Sequence, residues 1–414
     1  MKSRKVDVLI IGGGPAGLAA AATLHGLGIT DILLVERENE LGGILKQCIH
    51  EGFGLKRFKT SLSGPEYAAR FVRRLEELGI ENICGAAVTD LTEDKRCTVV
   101  SREGLMEVTA RAVILAMGCR ERTRGAIAIP GSRPSGVMTA GVAQSYMNIH
   151  NKQVGKEVVI LGSGDIGMIM ARRLTLEGAR VLGVYELLPY ASGLPRNISQ
   201  CLEDYDIPLH LSRTVSKIHG RDRLEGITVM AVDDKLVPVN GTEEFISCDT
   251  LILSVGLIPE NELSLAAGVV LDPRTKGPVI SEAYETSVPG IFAAGNVLQV
   301  HDLVDQVSLE AERLAKGVAK YLEGNMANLE FIHLKTGANV SYVVPQKIAC
   351  RKDERTTVSL RVREPLRDRT LNVIQDGRSV YSKRISHAIP AEMIQFQLPG
   401  DSVNSTCDIE VVIS

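Results

Sequence analysis

The chain has 414 residues, with 47 Lys+Arg against 50 Asp+Glu, a formal net charge of -3, 44% apolar residues and 4% aromatic residues. That length suits two to four domains of about 100 to 200 residues each, and so apolar a chain with so little net charge is not disordered. An even charge balance gives no basic excess for phosphate backbones and scarce rings give no stacking platform, so nucleic acid is not an expected partner.

The first apolar run, Val8 to Ile11, is cut by Gly12, Gly13 and Gly14 well short of the roughly 20 residues that span a bilayer, so no membrane insertion is expected. No small-residue cleavage site follows it, and the expected location is cytoplasmic. The eight cysteines, at 48, 84, 97, 119, 201, 248, 350 and 407, are dispersed, with no CxxC pair and no clustered metal spacing. Such thiols are expected to be buried and reduced.

Val6 to Ile11 reads as a buried strand that turns through Gly12-x-Gly14-x-x-Gly17 into an Ala-rich helix. Gly12 makes the tight turn, Gly14 admits a pyrophosphate, and Gly17 lets the helix pack on the strand, with the diphosphate on helix N–H groups. A second strand, Ile32 to Val35, delivers Glu36, whose carboxylate can accept hydrogen bonds from both ribose hydroxyls of an adenosine. The pattern recurs in Glu157 to Ala171, with Gly162, Gly164 and Gly167, followed by the strand Arg180 to Tyr185 and then Glu186. Gly12 and Gly162 lie 150 positions apart, and so do Glu36 and Glu186. Each copy closes with a buried strand ending in glycine, Ala112 to Gly118 and Thr250 to Gly256. A whole nucleotide-binding domain is repeated, and two cradles in one chain imply two cofactors. The expected fold is α/β, with two Rossmann-like domains.

Residues 330 to 414 differ. Short alternating segments such as Thr357 to Val362, Leu371 to Ile374 and Cys407 to Ile413 are separated by the turns Asp376-Gly377 and Pro399-Gly400. This predicts a small antiparallel sheet or sandwich. Two readings stand for it: an interaction or dimerisation module, or simple packing onto the first nucleotide domain.

Taken together, the two glycine fingerprints, Gly42-Gly43, Ala116-Met-Gly118 leading to Ile129-Pro-Gly131, and Thr286 through Gly295-Asn296 resemble the two-dinucleotide-binding-domain flavoproteins of the pyridine nucleotide-disulfide oxidoreductase family. The resemblance implies an FAD domain from residues 1–120 plus 282–328 and an inserted NAD(P)H domain at 121–281, which leaves the β-rich segment as a domain of its own at 329–414. It places Gly12, Gly14, Pro15, Ala16 and Gly17 at the FAD pyrophosphate, Glu36 at the adenosine ribose with Arg37 also among the FAD-binding residues, and Val88 at the adenine. Gly42, Gly43, Ala116 and Gly118 join the same cradle, Gly295 and Asn296 meet the ribityl and pyrophosphate portion, and Gln306 opens a helix aimed at the flavin pyrimidine. The family usually has Asp at the position of Asn296; Asn keeps the acceptor oxygen and removes the charge.

For the second cofactor the resemblance assigns Gly162, Gly164, Asp165, Ile166, Gly167, Glu186 and Gly256. An acid after the second strand favours a free ribose diol over a 2'-phosphate, and no Arg or Lys follows until Arg196, so NADH is expected over NADPH. The alternative is that Glu186 is a solvated loop acid.

Disulfide-reducing relatives carry a CxxxxC pair after the Gly-Gly, where this chain has Leu45 and His50, so a redox disulfide is not expected. Cys48 stays near the expected flavin edge, either as a sulfenate-forming centre or as a packed thiol. His50 and His301 are further candidates, as proton donors or as loop histidines held by backbone.

Gly43 to His50, Gly64 to Tyr67, Gly136 to Gln144 and Asn296 to Val304 resemble a narrower subgroup, the FAD subunits found with anaerobic glycerol-3-phosphate dehydrogenases, opine oxidases and hydrogen cyanide synthases. That implies a hydride-transferring subunit beside a second flavoprotein or dehydrogenase, in a homo- or hetero-oligomer. The alternatives are a freestanding NADH oxidase and a non-catalytic FAD-containing assembly subunit.

Overall fold

The computed structural model describes residues 2–325, 330–349, 354–404 and 407–414. The chain forms two compact units, one from Met1–Cys119 with Pro259–Ser414, the other from Arg120–Ile258. The first unit is built on a seven-stranded sheet. Four of its strands run parallel in the order Glu81–Ile83, Ile32–Val35, Lys2–Ile11 and Gly104–Leu115, and Ile291–Ala293 adds a fifth beside the last. Arg96–Ser101 and Ala86–Leu91 extend the sheet antiparallel. Val8, Leu9, Ile10, Leu33 and Leu34 are fully buried, as expected for strands covered on both faces.

The Pro15–Gly26 helix lies against this sheet with Ala19, Ala20 and Ala21 buried, and small side chains let it approach the strands. Pro15 sits at its start, where a missing N–H costs nothing. The helix Val304–Leu322 packs along it. The helix Gly64–Leu78 starts with a reciprocal cap, Glu66 Oε2 accepting from Ser63 N–H at 2.8 Å while Ser63 Oγ accepts from Glu66 N–H.

The second unit repeats the plan with a parallel sheet in the order Val137–Thr139, Thr250–Leu253, Glu157–Leu161, Arg180–Tyr185 and Leu209–His210. One detail is permuted. The strand beside the closing strand comes from after it in the first unit, Ile291–Ala293, and from before the repeat in the second, Val137–Thr139. A three-stranded antiparallel sheet, Arg213–Gly220, Leu224–Ala231 and Glu244–Ser247, completes the second unit.

The inserted unit ends at Ile258, earlier than the boundary at 281 expected from the sequence. Residues from 259 onward belong to the first unit because Asn261 Nδ2 donates to Lys276 O and Val297 O, both at 2.9 Å, and the helix Glu262–Ala266 packs on Ala86–Leu91.

The C-terminal residues form a five-stranded sheet, ordered Lys347–Ala349, Phe331–Thr336, Ile409–Ile413, Leu366–Gln375 and Arg378–Ala388, and a three-stranded sheet, Val340–Val344, Arg355–Val362 and Ile394–Pro399. They share a core of Val358, Leu360, Leu371, Val373 and Val411. The pairing is antiparallel as expected, except that Phe331–Thr336 and Ile409–Ile413 run parallel. These strands are docked on the first unit. Tyr342 and Val344 are buried in that unit's own core, and Gln346 Oε1 accepts from Ile280 N–H at 3.0 Å. No helix among the described residues is long and apolar enough to cross a membrane.

Candidate functional site

Gly12 ends the first strand with φ +109°, and its N–H donates to Val35 O at 2.9 Å. A Cβ there would stand 2.4 Å from Ala116 O, and a Cβ on Gly17 1.9 Å from Gly12 O, so neither position admits a side chain. Gly14 differs. Its φ is -81°, and among the described residues a Cβ would meet only Gly43 Cα, at 3.9 Å. That space opens at the start of the Pro15–Gly26 helix, which has no side-chain cap and no acid in its first turn. The first-turn N–H groups, those of Ala16 and Gly17, are thereby left for an anion at the positive end of the helix dipole.

The rest of the first cradle closes around this point. Gly42 N–H donates to Gly13 O at 2.9 Å, and a Cβ on Gly43 would lie 2.9 Å from Gly14 Cα. Gly295, with φ +79°, approaches so near that a Cβ would stand 3.0 Å from Ala16 Cβ. Glu36 is buried; Oε2 accepts from Gly13 N–H at 2.7 Å and Oε1 from Glu38 N–H at 2.8 Å. Ala86 N–H donates to Glu36 O at 3.0 Å, which starts the strand carrying half-buried Val88 beside the acid. Arg37 is exposed, Gly118 O accepts from Glu260 N–H at 3.0 Å, and Gln306 lies half-buried in the first turn of the helix Val304–Leu322.

The loop from Gly295 to Leu303 is held by a residue that sequence reasoning missed. Glu310, 1% exposed, accepts from Gly295 N–H at 2.8 Å through Oε1 and from Gln299 Nε2 at 2.7 Å through Oε2, with His301 Nε2 3.3 Å from the same Oε2. Burial opposes ionisation of this carboxyl, but His301, the Gly295 N–H and Arg313 together hold it below the usual carboxylate range. Its signal in the sequence is an acid in the apolar stripe of Val307, Ala311 and Leu314. Asp305 was missed as well; it accepts from Gly54 N–H at 3.0 Å and Arg57 N–H at 2.6 Å. Asn296 accepts from His301 N–H at 3.0 Å through Oδ1, and its Nδ2 lies 3.5 Å from Cys119 Sγ.

The three candidates for proton or thiol chemistry fare differently. The His301 ring is 1% exposed, with Nδ1 3.4 Å from Asn296 Oδ1 and Nε2 turned to Glu310. Its nitrogens therefore act on the loop, and solvent does not reach them. Burial pushes the Cys48 thiol up to about 12, and Sγ donates to Ile44 O at 3.5 Å, so it stays protonated at neutral pH. His50 stands beside Phe53 with ring centroids 4.9 Å apart. None of the seven described cysteines forms a disulfide with another, and Cys350 lies outside the described residues.

The second unit repeats the turn and the acid's two backbone bonds of the first. Gly162, φ +99°, donates to Tyr185 O at 2.7 Å, and a Cβ on it would stand 2.1 Å from Ser254 O. Glu186 Oε2 accepts from Ser163 N–H at 2.9 Å and Oε1 from Leu188 N–H at 3.0 Å, each donor 150 positions after its counterpart. Gly164 begins the Asp165–Leu176 helix, again with no side-chain cap. Gly167 N–H donates to Ser254 Oγ at 3.0 Å, Ile166 packs on the unit's core, and Gly256 holds φ +101° beside Arg122. Two features are new. Ser163 and Ser192 hydroxyls also donate to Glu186 Oε2, at 2.5 and 2.8 Å, so this buried acid is held more tightly than Glu36. Asp165 Oδ1 accepts from Leu194 N–H and Asn197 Nδ2 at 2.8 and 2.7 Å, which turns it away from the first turn.

Two nucleotide cradles of one design define a two-dinucleotide-binding flavoprotein, and comparison with known proteins agrees. The family model for pyridine nucleotide-disulphide oxidoreductases matches residues 6–355, and the chain belongs to this family of flavoprotein oxidoreductases. Among curated relatives, the glutamate synthase [NADPH] small chain of Mycobacterium tuberculosis is 25% identical, over 77% of this chain and 67% of that protein. A subunit of the alkyl hydroperoxide reductase of Staphylococcus aureus is 27% identical over 70% of this chain and 54% of its own length. Hydrogen cyanide synthase subunit HcnB of Pseudomonas aeruginosa is 27% identical over 70% of this chain and 66% of its own. The chain thus spans between about half and two thirds of these relatives. Thioredoxin reductase of T. acidophilum shares the fold, with TM-score 0.63 and 22% identity over 78% of this chain and 99% of that one.

Proposed function

We propose that the chain is an FAD-dependent oxidoreductase that moves a hydride between NADH and FAD, as the electron-transfer subunit beside a small-molecule dehydrogenase of the glycerol-3-phosphate or amino-acid type. The observation that carries this reading is the duplicated cradle, in which each uncapped helix start is paired with a buried acid at the same spacing. FAD and NADH would supply the redox chemistry; the protein binds, orients and shields them.

In the first cradle, Gly12 to Gly17 would take the FAD pyrophosphate and Glu36 its ribose. The volume that a Cβ on Gly14 would fill is where a phosphate oxygen fits, against helix N–H groups. Gly162 to Gly167 would hold the nicotinamide dinucleotide. Glu186 offers its ribose an anionic acceptor already fixed by four donors, and a 2'-phosphate would meet that charge with no described cation bonded to it. This supports NADH over NADPH. The names of the relatives support the partner, since a small chain and two subunits each denote part of a larger enzyme.

A thiol held near 12 gives no support to a freestanding oxidase working through a Cys48 sulfenate. Anaerobic rapid mixing of the FAD-loaded protein with each nucleotide tests the specificity. NADH is expected to bleach the flavin at least tenfold faster than NADPH at equal concentration, a preference of about 1.4 kcal/mol; faster reduction by NADPH would overturn it.

A further inference from the structure

The Arg355–Val362 strand of the C-terminal sheets sends one guanidinium into the loop that follows Asn296. Arg361 Nε donates to Tyr342 Oη at 3.1 Å, and one terminal nitrogen donates to Pro390 O at 2.8 Å and to Ala391 O. The other donates to Val300 O at 3.1 Å and to Asp302 Oδ1 at 3.2 Å. All five N–H donors of the group are used. The ion pair is largely buried, with the Arg361 and Asp302 side chains 15% and 10% exposed. Three bonds stay within the C-terminal β region, to Tyr342 of its strand and to the Pro390–Ala391 turn, and two cross to the loop, where they grip the residues on either side of His301.

We propose that Arg361 is a positioning residue: it clamps Val300 and Asp302 from the C-terminal strands and so, through the His301 N–H, fixes how Asn296 is presented to the flavin. The inference rests on the reading that Gly295 and Asn296 line the FAD. Glu310 holds the same loop at other residues, through Gly295, Gln299 and His301. With both ends fixed, Asn296 Oδ1 stays on the His301 N–H. The C-terminal strands thereby gain a part in the redox site without supplying a group that touches it. A lysine can replace the clamp only in part, because a point charge with three donors does not reproduce the planar fork.

The test compares Arg361→Met, Arg361→Lys and Asp302→Ala with wild type. Backbone hydrogen exchange is measured on the FAD-free proteins, then FAD affinity and the visible spectrum of the bound flavin. Positioning requires faster exchange at His301 in Arg361→Met and Asp302→Ala, and FAD Kd raised about tenfold in both. Arg361→Lys is expected to fall between them and wild type. A field effect on the anionic cofactor behaves otherwise: loss of the cation would weaken FAD and loss of the carboxylate would tighten it. Opposite shifts, or unchanged exchange at His301, overturn the proposal. Asp302→Ala leaves Arg361 its bonds to Tyr342, Pro390 and Ala391, so it still decides the matter if Arg361→Met loosens the C-terminal strands as a whole. Failure of wild type to bind FAD would instead sink the flavin reading, while the exchange data would still judge the clamp.

Discussion

At the scale of single residues, the strongest constraint is the buried carboxylate of Glu310. Its folded value is depressed, so its ionised form stabilises the protein above the unfolded value of about 4.3, and that contribution is lost as pH falls through the lower folded value. Glu310→Gln is expected to lose about 2 to 4 kcal/mol in urea unfolding at pH 7, because an amide nitrogen would face Gln299 Nε2 and the buried Arg313 would lose one of the two carboxylates that act on it. The variant's stability should also vary less with pH below about 4.3. An unchanged midpoint at pH 7 would show that Glu310 does not hold the loop. Cys48 gives a second check. With its thiol pushed up to about 12, alkylation by iodoacetamide at pH 8 should run about a hundredfold slower in the folded protein than in urea, read by mass spectrometry of the Cys48 peptide.

At the scale of elements, the two strand–turn–helix units separate the glycines that make the fold from those that make the site. Gly12→Ala puts a methyl 2.4 Å from Ala116 O at positive φ and should fail to accumulate as folded protein. Gly14→Ala meets nothing nearer than 3.9 Å and has an ordinary φ, so apo stability should stay within about 0.5 kcal/mol while FAD affinity falls at least tenfold. Thermal unfolding of the apoprotein and an FAD titration read the two effects separately. The glycine spacing and the acids at 36 and 186 were legible in the sequence because each demand is local, met within one turn or one strand. The hairpin at Asp376-Gly377 was legible for the same reason, with φ of 51° and 71° matching a two-residue turn between Gln375 and Arg378. Arg361 gave no such signal, since it sits in an ordinary alternating strand and its two partners in the loop lie about 60 positions away. The end of the inserted unit was misplaced likewise: Asn261 belongs with Val297 through a tertiary hydrogen bond that no composition shift marks.

For the whole molecule, the C-terminal strands are part of the first unit. They lend Tyr342 and Val344 to its core and satisfy the Ile280 N–H through Gln346. Ending the chain at Asn325 is therefore expected to give protein with little bound FAD and a strong tendency to aggregate, read by flavin absorbance per chain after purification. Normal FAD content in that truncation would make the β strands an appendage. The duplicated cradle bears on a larger question, whether one chain carries a complete path for a hydride. Anaerobic titration of the FAD-loaded protein with NADH tests this most directly. One equivalent of NADH per chain should bleach the flavin completely, and Gly164→Ala, which fills the second cradle, should raise the NADH concentration needed at least tenfold while leaving FAD bound. A flavin that stays oxidised under excess NADH would contradict the assignment of a hydride-transfer function to this chain.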